Sequence, residues 1–288
     1  MDLTPIPSPI APPAAGRGAP PPNQDETCFS PPLPGAGRAM GEGGQGGEVV
    51  LAVLVVLFVL VSLARPAAAW DLAPDASSAA FHAFHQRFSS DAYHYPRHGA
   101  APLGLVGFDV YAEASVDRGF ADSAAGDLID GNLTGGAMSI GRVGVRKGLP
   151  GGVDLGVAYG QALGSSGLKL LSADVQWAMI HGGVLSPAVS FRFTGTETVG
   201  SPGAYELRQV GAEVLVSKGF AMLTPYAGVG IVSSLGTFHG IHAGTLQETD
   251  TQGIAYAGVT LSLLVPKITV EVEKADVVQA SVRVGIGL

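Results

Sequence analysis

The chain has 288 residues, of which 47% are apolar and only 14% are charged, with 42 Gly, 20 Pro and one Cys. This composition is too apolar and too poor in charge for an ordinary soluble enzyme of this length. The net charge of −8 and the absence of a Lys/Arg cluster exclude a strongly basic nucleic-acid-binding protein. After residue 64 no stretch approaches the ~20 apolar residues of a spanning helix, which excludes a polytopic helical membrane protein.

Residues 1–39 form a leader rich in Pro, Ala and Gly, since 11 of the 20 Pro precede residue 35. Low-complexity composition of this kind predicts disorder. A Pro-rich ligand for an adaptor is one interpretation. We favour an over-extended gene start with Met40 as the initiator, because a complete export signal follows it.

Residues 40–69 are interpreted as a signal peptide. Their sixteen-residue apolar run, Val49–Ala64, is followed by a helix breaker and by the small residues Ala67 and Ala69 immediately before Trp70. This order is what signal peptidase recognises, although the usual basic residues at the front are missing. An uncleaved signal anchor is the alternative. The only cysteine, Cys28, precedes the run, so lipoprotein processing and an intrachain disulfide are excluded.

From Leu103 onward, apolar and polar residues alternate with the period of a β-strand. In Gly107–Val116, for example, Phe108 and Val110 share one face while Asp109 and Tyr111 share the other. Further clear segments begin near Val153, Leu171, Val189, Val210, Ala257, Ile268 and Val278, and two with blurred faces span Ala137–Lys147 and Leu223–Leu235. We therefore favour ten strands, with eight or twelve as alternatives.

The last segment keeps its apolar alternation to the end of the chain, through Val282, Val284, Ile286 and Leu288. It resembles the C-terminal recognition strand of bacterial outer-membrane β-barrels, although that family usually ends in an aromatic residue. Over residues 103–288 the resemblance implies an all-β, closed, antiparallel up-and-down transmembrane β-barrel. It also implies contact with outer-membrane lipid, assembly by the barrel-assembly machinery, and periplasmic chaperones as partners.

The predicted connections fit this topology, because such barrels join their strands by short periplasmic turns and longer outer loops. Two long connections are expected, at Asp117–Gly136 and Gly236–Gly253. With an even number of strands, both fall on the outer side and the barrel termini fall in the periplasm. A soluble sandwich or lipocalin-like barrel would also alternate, but its interior would be apolar.

The face opposite the apolar one instead collects charges, as lipid outside a closed ring requires. We predict that they form an ion-pair network in the lumen: Asp109, Glu113, Arg142, Arg146, Asp174, Arg192, Glu213, Glu271, Glu273 and Arg283. With Asp154 included, seven acids face four bases. A narrow cation-preferring pore is one interpretation. A sealed core of ion pairs is favoured, because a barrel of this size has little free interior.

Residues 70–102 precede the barrel and are predicted to be a periplasmic N-terminal segment or a plug at the barrel mouth. Phe81, Phe84 and Phe88 have the spacing of a short amphipathic helix. Four histidines also lie here, and a metal site formed by them is the weaker alternative: His82, His85, His94 and His98.

No nucleotide-binding, nucleophile-elbow or zinc-protease motif is present in the sequence. His239, His242 and Asp250 could belong to a surface hydrolase, with Ser233 or Ser234 nearby, but solvated loop residues are the favoured interpretation. We expect an outer-membrane protein with a structural, surface-interaction or minor small-solute transport role, without catalysis or cofactor. The alternatives are an outer-membrane lipid or peptide hydrolase and a soluble periplasmic β-protein on an uncleaved anchor.

Overall fold

A computed structural model describes residues 70–74, 77–165, 168–199, 205–240, 244–263 and 266–287. The predicted leader and signal peptide, with Ala67 and Ala69, lie outside these residues, as do His242 and Leu288. Over the described part of the chain, no helix is long and apolar enough to cross a membrane.

The described residues contain one α-helix, α1 (Ser78–Ala92), and twelve β-strands. The strands are β1 (Trp70–Leu72), β2 (Phe108–Asp117), β3 (Ile129–Gly131), β4 (Met138–Leu149), β5 (Val153–Ala162), β6 (Lys169–His181), β7 (Ala188–Val199), β8 (Tyr205–Ser217), β9 (Leu223–Gly240), β10 (Gly244–Ser262), β11 (Pro266–Lys274) and β12 (Val278–Gly287).

Ten of the strands in this described part form one closed antiparallel barrel, β2 and β4 to β12 in sequence order. The ring closes where β12 pairs with β2, with Val282 opposite Ala114 and Val284 opposite Ala112. Closure pairs the backbone of every strand on both sides, which removes the exposed edges of an open sheet. The predicted all-β, ten-stranded antiparallel barrel is confirmed.

Side chains alternate across the barrel wall as the sequence predicts. On the outer face Val110, Val157 and Phe193 are 50%, 51% and 60% exposed, whereas the inward Glu113 and Asp174 are 1% and 4% exposed. Because successive residues of a strand point to opposite faces, each strand contributes to an apolar exterior and a polar interior. This arrangement is the one that hydrocarbon outside a closed ring requires.

The two ends of the barrel differ, and we name them by their connections. At the loop end, β2 is joined to β4 by the predicted long connection, which contains β3 and two short 3-10 turns, Gly126–Leu128 and Thr134–Gly136. Here β3 pairs with β1 as a separate two-stranded sheet. At the turn end, β4 reaches β5 through a tight turn, β2 begins and β12 ends.

The second predicted long loop, Gly236–Gly253, is wrong. β9 continues to Gly240 and β10 begins at Gly244, and their pairing runs through this whole segment. Outward Thr245, Gln247 and Thr249 are exposed. The strands here carry polar residues on both faces, so the alternation of hydropathy disappears from the sequence. The segment is nevertheless rich in Thr, which favours strands, and its backbone still pairs as a β-ladder. The β9–β10 hairpin therefore extends the polar part of the wall at the loop end.

Residues 70–102, predicted to be a periplasmic segment or a plug at the barrel mouth, do not stand apart from the barrel over residues 77–102. Residues 77–104, which we call the lumenal segment, pack inside the barrel, and the wall itself begins only at Phe108. The physical reason is that a polar, charged lumen requires partners for its groups. The lumenal segment supplies them.

Candidate functional site

The lumenal segment crosses the interior from the loop end to the turn end. Near the loop end, Arg87 donates two hydrogen bonds to Asp117 at the end of β2, at 2.6 and 2.8 Å. At the turn end, the backbone N–H of Leu103 donates to the Asp154 carboxylate at 3.1 and 3.2 Å. The barrel therefore encloses one continuous stretch of its own chain.

The half of this segment nearer the loop end is α1. Ser77 is its N-cap residue, and the Ser77 hydroxyl accepts a hydrogen bond from the Ala80 N–H. Phe81, Phe84 and Phe88 lie on one face, as predicted, and all are at most 2% exposed. Phe84 stacks on Phe88 and meets the ring of Tyr205 edge-on at 5.2 Å. Burying each phenyl ring contributes about 1.5–3 kcal/mol to holding the helix in place.

The wall also satisfies the C-terminal carbonyls of α1, which have no partner within the helix. Gln209 donates to the Ser89 carbonyl at 2.7 Å and Gln279 to the Ser90 carbonyl at 3.2 Å. Arg142 donates to the Ala92 carbonyl at 2.6 Å. Tyr93 is already extended and Pro96 follows, which ends the helix. Side chains of the barrel wall therefore cap the C-terminal end of α1.

His85 occupies a shaped position on the wall. Its Nδ1 lies 2.7 Å from the Tyr205 hydroxyl and its Nε2 lies 3.2 Å from Ser234 Oγ. A Cβ added at Gly236 would lie 2.4 Å from His85 Nδ1, so only glycine leaves room for the ring. Burial lowers the pKa of His85, a residue of the lumenal segment and not of a spanning strand. The imidazole is therefore held neutral and acts as an anchor.

Arg97 is the central cation of the lumen and is completely buried. Its guanidinium pairs with Glu273 at 2.8 Å through Nε and with Glu113 through Nη1. The two carboxylates project from β11 and β2, on opposite sides of β12. Because an unpaired buried charge costs several kcal/mol, Arg97 ties the lumenal segment to the part of the wall where the ring closes.

All ten residues of the predicted ion-pair network are buried, at 5% exposure or less, and most of them pair with one another. Arg283 pairs with Asp109 and lies 3.6 Å above the ring of Tyr111. Arg192 pairs with Glu213 at 2.8 Å and with Asp174 at 3.4 Å. The remaining contacts of the set are Arg142 to Glu113 at 3.8 Å, Arg146 to Asp174 at 3.9 Å and to Asp154 at 3.4 Å, the Tyr226 hydroxyl to Glu271, and the Ser281 hydroxyl to Glu273.

Inward tyrosines complete the network and lie flat against glycines of the wall. Tyr93 and Tyr256 both donate to Glu213. A Cβ at Gly211 would overlap Tyr93, and one at Gly228 would overlap Tyr256. Glycine at these two wall positions therefore leaves the space that the tyrosine rings occupy.

Arg97 and Tyr93 are residues of the lumen that the sequence does not predict. One signal for them exists, which is the excess of seven inward acids over four bases. Buried carboxylates require cations or hydroxyl donors, and the wall strands contain fewer arginines than acids. Arg97 and Tyr93 of the lumenal segment, with Tyr226 and Tyr256 of the wall, supply the missing donors.

The four histidines of the segment have separate partners. His82 Nδ1 lies 2.9 Å from Glu248, His94 Nε2 lies 3.2 Å from the Tyr111 hydroxyl, and His98 Nδ1 lies 2.8 Å from the Gly99 carbonyl. In the described residues no group of three or more His, Cys, Asp or Glu side chains could hold a metal ion. The structure does not bring these histidines together.

Of the residues predicted for a hydrolase, His242 lies outside the described residues, and His239 and Asp250 are not brought together. His239 Nδ1 lies 3.3 Å from the Thr245 hydroxyl, its cross-strand neighbour. Asp250 lies opposite Ser234, which comes five residues before His239 in β9, and it accepts a hydrogen bond from the Gln252 side chain. Ser234 faces the lumen and contacts His85, a residue outside the loop.

Trp70, the predicted first residue after signal cleavage, is built into the loop end. It begins β1, opposite Gly131 of β3. Its indole N–H donates to the Leu163 carbonyl at 2.9 Å, and its backbone N–H donates to the Gly164 carbonyl at 3.2 Å. The chain therefore enters the described body at the loop end.

No protein-family model and no curated protein matches the chain. Among solved structures, the N-terminal barrel domain of Pseudomonas aeruginosa OprF matches at 12% identity with a TM-score of 0.33, covering 64% of this chain and 99% of that one. The KdgM porin matches at 10% identity and 0.32, covering 63% and 98%. Ail of Yersinia pestis matches at 13% and 0.27, covering 63% and 95%. These are bacterial outer-membrane β-barrels. The closed barrel described above confirms, at the level of fold, the resemblance found in the sequence.

Proposed function

We propose that this chain is an outer-membrane β-barrel of a Gram-negative bacterium whose lumen is sealed and whose role is structural or surface-interacting. The observation that carries the proposal is the lumenal segment, which is hydrogen-bonded to the wall from Arg87 near the loop end to Leu103 at the turn end. Because the lumen is filled along its length by the protein's own chain, a structural or surface-interacting role is favoured over an open pore. No catalytic role is proposed.

The charges of the lumen support sealing. A cation-preferring pore needs acidic groups that an ion can approach, whereas Glu113 and Glu273 are engaged by Arg97, and Asp109 by Arg283. Dislodging such pairs would leave buried charges uncompensated. A minor small-solute transport role would therefore require the lumenal segment to move.

The outer surface supports membrane insertion, and the predicted signal peptide supports export across an inner membrane. On this proposal the C-terminal strand, with Val282, Val284 and Ile286 on its outer face, is the substrate of the barrel-assembly machinery. The polar β9–β10 hairpin and the β2–β4 connection then face the cell exterior. They offer the surface for any interaction partner.

The test is conductance in planar bilayers, with heat-modifiable gel migration as the check that the barrel is folded. The intact chain should give no discrete channel steps at high protein input. A variant in which residues 78–101 are replaced by a Gly/Ser linker serves as the open control, provided that its gel migration shows a folded barrel. Regular channel steps from the intact, folded chain would overturn the sealed lumen.

The absence of catalysis is tested separately. Phospholipid, lipid A and peptide substrates are incubated with the intact chain and with the His239→Ala and Ser234→Ala variants. We expect no turnover in any sample. Turnover by the intact chain that is lost in either variant would favour the hydrolase alternative.

A further inference from the structure

The turn end of the barrel carries large apolar side chains that point away from the body. Leu185, Val184 and Val106 are 96%, 94% and 85% exposed, the highest values for large apolar side chains in the described residues. We call the set of exposed side chains at this end the apolar rim: Leu105, Val106, Val184, Leu185, Phe220 and Met222. Isolated exposed apolar residues are ordinary, but six of them at one end are not.

Lysines hold two of these turns in place. Lys218 Nζ donates to the carbonyls of Gly183, Val184 and Ser186 at 2.7, 2.6 and 3.1 Å. Lys147 Nζ donates to the carbonyls of Leu105 and Gly107 at 2.6 and 3.0 Å. Each ammonium satisfies backbone carbonyls that would otherwise require water. The apolar tips are therefore fixed outward, with part of their polar backbone already hydrogen-bonded.

The third part of the rim is a tight turn with reciprocal backbone bonds. Phe220 and Leu223 exchange N–H to carbonyl bonds at 2.7 and 2.9 Å, and the Met222 carbonyl accepts from the Ser262 N–H at 2.8 Å. This last bond joins the β8–β9 turn to the end of β10. Phe220 and Met222 are 60% and 56% exposed, so this turn also presents its apolar side chains outward.

The rim continues the apolar exterior of the barrel. On β6 the outward Trp177 and Met179, both 49% exposed, and Ile180, 45% exposed, lead down to the Val184–Leu185 turn. Trp177 stacks on Phe191 of β7 with ring centroids 6.5 Å apart. Aromatic side chains of this kind mark the level of the membrane interface. The apolar surface thus reaches the tips of the turns at this end.

The charges at the two ends are opposite in sign. The described turn-end segments 104–108, 147–154, 180–188, 217–223, 262–263 and 266–268 contain three lysines, Lys147, Lys218 and Lys267, and one acid, Asp154, which is buried. At the loop end, exposed acids dominate: Asp71, Asp122, Asp127, Asp130 and Asp276. The turn end therefore presents apolar tips with a purely basic surface.

We propose that the apolar rim is inserted into the boundary between headgroups and acyl chains of an anionic phospholipid leaflet; this inference rests on the proposed function. Apolar side chains at that depth with lysines at headgroup level match interfacial membrane binding. The tips lie on separate arcs, beside β4, between β6 and β7, and between β8 and β9. A leaflet meets all of these arcs at once and is continuous with the lipid around the apolar outer face of the barrel. The turn end is thereby seated in lipid, and the loop end projects into water.

The test places one environment-sensitive NBD fluorophore on the chain in phosphatidylcholine/phosphatidylglycerol vesicles. In a Cys28→Ser background, Leu185→Cys carries the probe on the rim, Val157→Cys on the outer face of β5, and Asp122→Cys at the loop end. Collisional quenching by doxyl lipid is measured at each position. We expect Leu185→Cys to be quenched most strongly by a doxyl group near the headgroup and Val157→Cys by a doxyl group deep in the acyl chain, and Asp122→Cys to be quenched only by an aqueous quencher.

The two failures are distinguishable. If Val157→Cys reports water, the barrel is not in the membrane and the proposed function fails. If Val157→Cys reports lipid while Leu185→Cys reports water, only the rim proposal is overturned. Probes at Val106→Cys and Met222→Cys must agree with Leu185→Cys, because a single lipid-contacting turn would contradict insertion of the whole rim.

Preference for anionic lipid is tested by changing the headgroup of the quencher. Doxyl phosphatidylglycerol should quench the Leu185→Cys probe more strongly than doxyl phosphatidylcholine at equal mole fraction. Lys267→Gln should reduce this difference, whereas Lys274→Gln, at the loop end of the same strand β11, should leave it unchanged. Equal quenching by both lipids would overturn the anionic preference.

Discussion

Arg97 Nε donates to Glu273 at 2.8 Å across the interior of the barrel, and both side chains are completely buried. The same guanidinium reaches Glu113 on β2. Neither carboxylate belongs to the lumenal segment, so this contact joins two independent parts of the chain. It also makes the charge balance of the wall depend on the segment within it.

Arg97→Met should therefore destabilise the folded barrel. The substitution keeps most of the side-chain volume but leaves Glu273 buried without its cation and Glu113 with only Arg142 at 3.8 Å, which costs about 3–5 kcal/mol. Urea unfolding in detergent micelles, followed by heat-modifiable migration, measures the loss. Arg118→Met is the matched control, because Arg118 is exposed at the loop end, and its effect should stay within about 0.5 kcal/mol. Equal midpoints for the two variants would contradict a structural role for the pair.

The fold is predictable from the sequence because period-two alternation is a local property of each strand. The ring of Val110, Val157 and Phe193 outside and Glu113 inside follows from it directly. The long β9–β10 hairpin cannot be predicted in this way. Outward Thr245 and Gln247 make both faces of the hairpin polar, which removes the alternation of hydropathy on which the prediction depends. Alternation reports the environment of a strand as well as its backbone.

The interior is predictable only in part. Burial of the ten inward charges follows from the same alternation, but their partners do not. Arg97 lies in a stretch without periodicity, and its distance from Glu273 is set by the closure of the barrel. The glycines at 211, 228 and 236 look like strand breakers in the sequence, yet each makes room for one ring. Such pairings are tertiary and are visible only when both partners are placed.

Gly236→Ala should loosen the lumenal segment. The new Cβ would lie 2.4 Å from His85 Nδ1, and overpacking of this kind costs about 1–3 kcal/mol. Limited trypsin digestion at Arg87 measures release of the segment, and urea unfolding measures stability. Gly253→Ala on the neighbouring strand is the control, because its added Cβ would meet no atom within 4 Å. If both variants are cleaved at the rate of the parent chain, His85 is not an anchor.

Acid should weaken the folded state through His94, which belongs to the lumenal segment and not to a spanning strand. Burial lowers the pKa of His94 from 6.5 to about 3. The native state therefore binds fewer protons than the unfolded state between these values, so stability is complete above pH 6.5 and falls as the pH drops through this window. At pH 5 the expected loss from this group is about 2 kcal/mol. His94→Gln should flatten the slope of unfolding free energy against pH between pH 6.5 and 5. An unchanged slope would show that other groups cause any acid sensitivity.

Asp91→Asn should stabilise the protein at alkaline pH. Burial raises the pKa of Asp91 well above its usual range, and the neighbouring Asp117 carboxylate raises it further, against the opposing effect of Arg87. The native state therefore retains a proton that the unfolded state releases, and this contribution is lost as the pH rises above the unfolded pKa. Asparagine is neutral at every pH. The variant should exceed the parent in unfolding free energy at pH 8, and the gain should shrink toward pH 4. Asp122→Asn, at an exposed position, should show no such trend, and a loss of stability in Asp91→Asn at pH 8 would mean that the ionised carboxylate is favourable where it lies.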